Sequence, residues 1–341
     1  MYANHPMLRR TLAAIQLALG SALLLAPTAQ AATLLNASYD VARDVYKDLN
    51  PAFVAQWQKT NPTDTLKIDQ SHGGSSKQAR SVIDGLQADV VSMNSPLDVD
   101  AIAGARLTAS DWAQRLPYAS SPSWSTILFL VRKNNPKNIK DWNDLVRKDV
   151  KIVIPNPKTS GNARYSYLAA WEYARRQPGG NDTTARDFVG RFLANVPVFD
   201  TGGRGATTTF VQRGIGDVLL TFENEIQLIA SEFANQGFEV VVPSLSVRAD
   251  NPVAVVDKVV AKKGTKAAAE AYLKFHFSPE GQAIFAKHGI RPSDPAVLAQ
   301  HRNRFPELQL FTVDEAFGGW TVTHKTHFTD GGVLDQILQN K

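Results

Sequence analysis

From Thr33 onward, short β-branched or apolar runs alternate with stretches whose apolar residues recur at helical spacing. Thr33–Tyr39 predicts a first strand, and Ala42, Val45, Tyr46 and Leu49 fall at i, i+3, i+4 and i+7, the stripe of a helix beginning at Asp40. Asn50-Pro51 predicts a restart of that helix, because proline suits a first helical turn. Leu66–Gln70 and Ala88–Met93 read as the next strands, with a helix carrying Ala79, Val82, Ile83 and Leu86 between them. Ser125–Arg132, Val150–Pro155, Val196–Asp200, Val218–Phe222 and Pro252–Val260 continue the series. Tyr167, Ala170, Trp171 and Ala174 mark a helix after the Val150 run. Such alternation argues an α/β fold built on mainly parallel sheet.

The polar break Lys133–Asn138 predicts passage into a second domain, so we expect one lobe from 32–132 and 250–341 and another from 133–249. No internal repeat of fixed period is present. The N-terminus predicts an export signal over residues 1–31: Arg9-Arg10, an apolar run from Leu12 to Leu25, then the small-x-small cleavage site Ala29-Gln30-Ala31. The run is short for a bilayer span, which favours a cleaved signal and a periplasmic protein over an anchored one. Cleavage leaves roughly 310 of the 341 residues, enough for two cores.

The chain contains no cysteine, which excludes disulfides, thiolate metal sites and a cysteine nucleophile. A formal charge of +5 spread along 341 residues is no nucleic-acid footprint. Neither His324 with His327 nor His72 beside Ser75 has the partners of a metal or nucleophile–base site, so His72 is expected as a loop residue supporting the fold, and His324 and His327 in surface or packing roles.

Four loops share one grammar: strand, short polar loop, helix start. They are Tyr39-Asp40-Val41, Gly73-Gly74-Ser75-Ser76, Ser160-Gly161-Asn162 and Thr201-Gly202-Gly203-Arg204-Gly205-Ala206. A helix start leaves peptide N–H groups unpaired, with the positive end of the peptide dipoles behind them, and so attracts anions. In open α/β sheets these loops lie at the carboxyl ends of the strands, where ligands bind. Two come from each expected lobe, so a cleft between lobes would surround one small anion. The spacing of Gly-Gly-Ser-Ser-Lys and of Gly-Gly-Arg-Gly fits neither a Walker loop nor a dinucleotide fingerprint.

Ser38-Tyr39-Asp40, Gln70-Ser71-His72-Gly73-Gly74-Ser75, Pro155–Arg164 and Asp200–Thr207, with Phe317-Gly318-Gly319-Trp320 and His327-Phe328, resemble the periplasmic sulfate- and thiosulfate-binding proteins of ABC transporters. The resemblance implies a two-lobed type II periplasmic binding protein that closes over its ligand and hands it to a membrane permease driven by a cytoplasmic ATPase. It implies no catalysis and no cofactor, and we expect a monomer. By position, backbone N–H groups near Asp40, Ser75, Gly161, Asn162 and Gly203 would hold the anion, with the Ser160 hydroxyl as a side-chain donor. Arg204 and Arg164 would add long-range attraction or form ion pairs between loops. The sulfate-selective relatives carry a tryptophan donor where this chain has Phe222, which offers an apolar face instead. Thiosulfate, whose outer sulfur accepts hydrogen bonds poorly, suits that wall, with sulfate as a shared ligand. A binder of molybdate or phosphate, and a periplasmic ester hydrolase, are the alternatives. The expected cage has donors only and no acidic group at its centre.

Overall fold

The computed structural model describes residues 31–339, so the expected export signal, apart from its last residue Ala31, lies outside the described residues. Two sheets carry the molecule. The first has the spatial order Val253–Val255, Val90–Ser92, Ala31–Tyr39, Thr65–Gly73, with the last three strands parallel and Val253–Val255 antiparallel at the edge. The second runs Phe199–Asp200, Ile152–Pro155, Val218–Phe222, Ile127–Val131, Glu239–Val241, parallel in its first three strands and antiparallel in the rest. The parallel strands alternate with helices, as the hydrophobic pattern requires, because a parallel neighbour can be reached only by a crossover.

Both sheets are packed on two faces, which explains why their strands read as near-continuous apolar runs. In the second sheet Ile127, Phe129, Leu220 and Phe222 face the helices Gly161–Arg175 and Asp182–Ala194, while Leu128, Leu130 and Leu219 face Phe210, Ile226 and Ile229. In the first, Leu34, Leu66 and Val90 join the core of helix Arg43–Thr60, and Ala37 and Val91 meet Ala79, Val82 and Ile102.

The expected strand Ser125–Arg132 is two strands. Ser123–Ser125 pairs antiparallel with Ala249–Asn251 and Arg291–Pro292 in a small joining sheet, and Ile127–Val131 already belongs to the second large sheet. Thr126 between them hydrogen-bonds through its hydroxyl to Ser246 Oγ at 2.8 Å, and Ser246 lies on the returning chain. Thr126 and Arg248 thus stand between the joining sheet and the neighbouring strands Ile127–Val131 and Ser246–Val247. Nor does the C-terminal segment stay with the first sheet. Tyr167 bonds His327 at 2.9 Å, Arg186 bonds Gln336, and Ile337 packs beside Gly190, so the tail closes over the second sheet's helices.

Helix Arg43–Thr60 runs through Pro51 without the expected restart. Its inner face is held by Val45, Tyr46, Leu49 and Phe53, and burial of that stripe outweighs the one hydrogen bond proline removes.

His276 is fully buried among Tyr46, Tyr272 and Phe285, with Nδ1 at 2.8 Å from the Tyr272 carbonyl. Burial lowers its pKa from 6.5 to about 4. Its folded pKa is below the unfolded one, so it binds fewer protons folded, and its contribution is lost as pH falls from 6.5 towards 4. Between pH 7 and pH 5 it should cost about 2 kcal/mol of stability. His276→Phe should flatten the decline in denaturant midpoint over that range; an unchanged slope would remove His276 as its source.

Candidate functional site

Each large sheet turns the carboxyl ends of its parallel strands towards the other, and helices begin there. On the first wall a short turn Asp40–Ala42 follows Tyr39, helix Ser75–Ile83 follows Gly74, and helix Pro96–Gly104 follows Ser95. On the second, helix Gly161–Arg175 follows Ser160, helix Gly203–Thr207 follows Gly202, and helix Glu223–Glu232 follows Phe222. The four expected loops thus come together, and two further starts join them. The first of these was readable in Ser95-Pro96, a proline at the first helical position.

The walls touch through backbone. A Cβ on Gly74 would lie 2.6 Å from both the Thr159 and the Thr201 carbonyl oxygens of the opposite wall. One on Gly161 would lie 2.0 Å from Asn94 Oδ1, and one on Gly202 2.4 Å from Asp40 Oδ2. Gly203 meets Val41 in the same way. At Gly74 the backbone is ordinary for any residue (φ −54°, ψ 135°), so space rather than conformation requires glycine. Thr159 Oγ1 bonds the Thr201 carbonyl at 3.0 Å, and Asn224 Nδ2 reaches across to the Val41 carbonyl at 3.2 Å.

Ser75, Ser160, Asn162 and Phe222 are buried, and Asp40 is 8% exposed. Ser75 Oγ accepts from the Asn94 N–H at 3.1 Å. Asn162 Nδ2 donates to Thr221 Oγ1 at 3.0 Å. Phe222 stands edge-on to Tyr165, 6.1 Å between ring centres, and lies opposite Ile127 in its strand pair. It offers no hydrogen-bond donor.

The arginines are paired across the cleft. Arg164 Nη1 meets Asp98 Oδ1 at 3.1 Å, both side chains nearly enclosed, and Ser76 Oγ donates to the same oxygen at 2.7 Å. Arg204 pairs with Asp44 and lies 3.5 Å from Glu225 Oε2. Neither guanidinium stands free to attract from a distance; both join the walls. Breaking a buried pair of the Arg164–Asp98 kind typically costs about 3–5 kcal/mol.

One expectation needs correction. An acidic side chain does stand where the loops meet: Asp40 Oδ2 accepts the Arg204 backbone N–H at 3.1 Å, capping the Gly203 helix from the opposite wall. The cap satisfies an N–H that the short helix leaves unpaired. Burial raises the Asp40 pKa, opposed by the Arg204 N–H and guanidinium. Nearby Glu225, fully buried, is pushed up to about 7 by burial, opposed by Arg204 and the Thr207 hydroxyl. Burial holds His72 down at about 4, aided by Arg43, so it is neutral at pH 7.

His72 lies in the strand Thr65–Gly73, one residue before its end, rather than in a loop, and its Nδ1 is 2.7 Å from Ser38 Oγ. That bond ties the Asp40 and Gly74 loops together and leaves Ser75 without a base. His327 packs among Tyr167, Trp171 and Phe317. Among the described residues no group of three His, Asp or Glu is placed to hold a metal. The arrangement can therefore hold an anion by donors.

Residues 34–291 match the family described as bacterial extracellular solute-binding protein. The chain is 56% identical to a thiosulfate-binding protein of Pseudomonas aeruginosa, over 96% of this chain and 97% of the relative. It is 54% identical to a sulfate-binding protein of Escherichia coli, over 89% and 92%. Among solved structures, the sulfate-binding protein SubI from Mycobacterium tuberculosis superposes with a TM-score of 0.77 at 34% identity, covering 86% of this chain and 98% of that one.

Gly74→Ala tests the contact between walls. The added methyl meets two backbone carbonyls that belong to the other wall, so the walls should be held apart while each retains its own core. Thermal unfolding should move little, solution scattering should show a larger radius of gyration, and affinity for the ligand should fall by about tenfold or more. A variant as compact and as tight-binding as the parent would show that close approach at Gly74 is not required.

Proposed function

We propose, from the premise that this chain belongs to the bacterial extracellular solute-binding proteins and within them to the sulfate- and thiosulfate-binding proteins, that it captures a divalent sulfur oxyanion for an ABC permease. Membership makes it a binding protein rather than an enzyme. The observation that carries the ligand reading is the convergence of helix starts from two walls on one small volume, close enough that Gly74 and Gly161 leave no room for a side chain.

The anion lies among the backbone N–H groups of Asp40, Ser75, Gly161, Asn162 and Gly203 and receives the Ser160 hydroxyl. Sulfate and thiosulfate are fully ionised at neutral pH and only accept hydrogen bonds, which suits such a cage. Hydrogen bonds to a charged group are worth roughly 1.5–3 kcal/mol each, so about six give ~9–18 kcal/mol gross. Micromolar affinity needs only ~8 kcal/mol, which leaves a margin to offset dehydration and closure. The Asp40 carboxylate is turned to the Arg204 N–H, so its backbone N–H rather than its charge serves the ligand. Monohydrogen phosphate needs an acceptor for its O–H, and a cage that turns only donors to the ligand would impose a penalty of roughly 1–3 kcal/mol.

Phe222 supports thiosulfate as the preferred solute. An enclosed aromatic edge with no donor suits the soft outer sulfur better than a fourth oxygen. The protein works as a monomer in the periplasm, exported by residues 1–31, with one lobe on each large sheet and the chain crossing near Thr126 and Arg248.

Titration calorimetry with thiosulfate, sulfate, molybdate and phosphate tests the reading. The first two should bind at micromolar level or tighter and phosphate weakly; tight phosphate with no response to sulfate or thiosulfate would end it. Phe222→Trp should shift the ratio of affinities towards sulfate by supplying an indole donor, and a ratio equal to the parent's would relieve Phe222 of its role in choosing between them.

A further inference from the structure

Two buried carboxamides at the start of the Gly161–Arg175 helix have an oxygen that nothing satisfies. Asn162, its second residue, is 1% exposed; Nδ2 donates to Thr221 Oγ1, and Oδ1 is enclosed without a partner. Asn94, on the opposite wall just after the strand Val90–Ser92, is 2% exposed, and its Oδ1 is likewise enclosed and unpartnered. That oxygen faces Gly161 so closely that a Cβ there would lie 2.0 Å from it. A carboxamide serving only the fold would be satisfied at both ends, since an unpaired buried acceptor is destabilising. Two such oxygens, one on each wall and both belonging to residues at the contact between Gly161 and the first wall, point to a ligand that the carboxamides serve.

A half-turn of a carboxamide exchanges its oxygen and nitrogen without changing its shape. At Asn162 the exchange is provided for. Thr221 Oγ1 now accepts, and its own O–H has no recipient among the described residues, so after the turn it donates to Oδ1. The Asn162 NH2 group is then aimed where the lone oxygen stood. Resting on the oxyanion reading above, we infer that Asn162 and Asn94 are side-chain donors to the bound oxyanion, one from each wall, and that the Thr221 hydroxyl orients Asn162 for that role.

The test uses the whole mature protein, thiosulfate and sulfate as probes, and two readouts. In calorimetry Asn162→Ala and Asn94→Ala should each weaken both anions by about ten- to hundred-fold, the range for one hydrogen bond to a charged group. Thr221→Val, which keeps shape and removes the hydroxyl, should weaken them less. In nitrogen-15 spectra of the unmutated protein, the side-chain amide signal of Asn162 should shift and become protected from exchange when either anion saturates the site. That measurement decides the matter even if a variant misfolds. Unmutated protein that binds while the Asn162 and Asn94 variants stay within about twofold of it, or an Asn162 amide signal unmoved at saturation, overturns this inference alone. Unmutated protein that binds neither anion overturns the oxyanion reading as well.

Discussion

The close approach of two backbones across the cleft is the constraint on which the rest depends. Peptide N–H groups at helix starts are short, rigid donors, and they reach a shared small solute only if the chains carrying them come almost into contact. Gly74 between two opposing carbonyls, Gly161 against Asn94 and Gly202 against Asp40 are the points where side chains have been cleared to allow this. The fold supplies the direction. Parallel strands in both sheets turn the same ends inward, and the small antiparallel sheet of Ser123–Ser125, Ala249–Asn251 and Arg291–Pro292 joins the two bodies beside those ends, since Val253 pairs with Ser92 and Ile127 with Phe222.

Charge at the cleft is balanced locally. Arg164 answers Asp98, Arg204 answers Asp44 with Glu225 near by, and Asp40 caps the Gly203 helix. Neither Arg164 nor Arg204 is therefore free to bind a passing anion through long-range attraction alone, and in the proposed site selection rests on short directional donors. Around Arg204 the acids outnumber the base: Asp40, Asp44 and Glu225 surround one guanidinium. Burial raises the pKa values of Asp40 and Glu225, the expected response to crowding negative groups in a poorly solvated place. The carboxylates thus face the arginine and the helix start, and their charge need not oppose an anion held by neighbouring amides.

Much of this was legible in the chain itself. The strands and helices follow from apolar periodicity, and the four loops were visible because glycine, serine and asparagine cluster between a strand run and a helix stripe. What escaped notice was tertiary in origin. Nothing near Asp98 announces that Arg164, far along the chain, will bury its charge there. The break at Thr126 stands where the polar Ser125-Thr126 meets the apolar run Ile127–Val131, and it carries no turn residue because both halves are buried strands and only their partners differ. Pro51 reads as a restart of the helix, yet the core beneath it holds the helix continuous. The tail joined the second sheet's helices through Tyr167, His327 and Ile337, contacts that no local pattern specifies. Asn94 lacked any motif; its role emerges only from facing Gly161.

A site divided between two walls also accounts for release. Held as proposed, the anion takes its hydrogen bonds from both sides, and neither wall alone offers the full set. Losing half of about six bonds, each worth roughly 1.5–3 kcal/mol, removes ~5–9 kcal/mol and lowers affinity by more than a thousandfold. Separating the walls therefore empties the site with no residue changing its protonation and no bond to the solute being made or broken. At Gly74, Gly161 and Gly202 themselves there is no side chain to be withdrawn when the walls part. A permease that favours the open form need only act on the relative position of the two bodies, and Arg164–Asp98 and Arg204–Asp44 are the ion pairs such a motion must break.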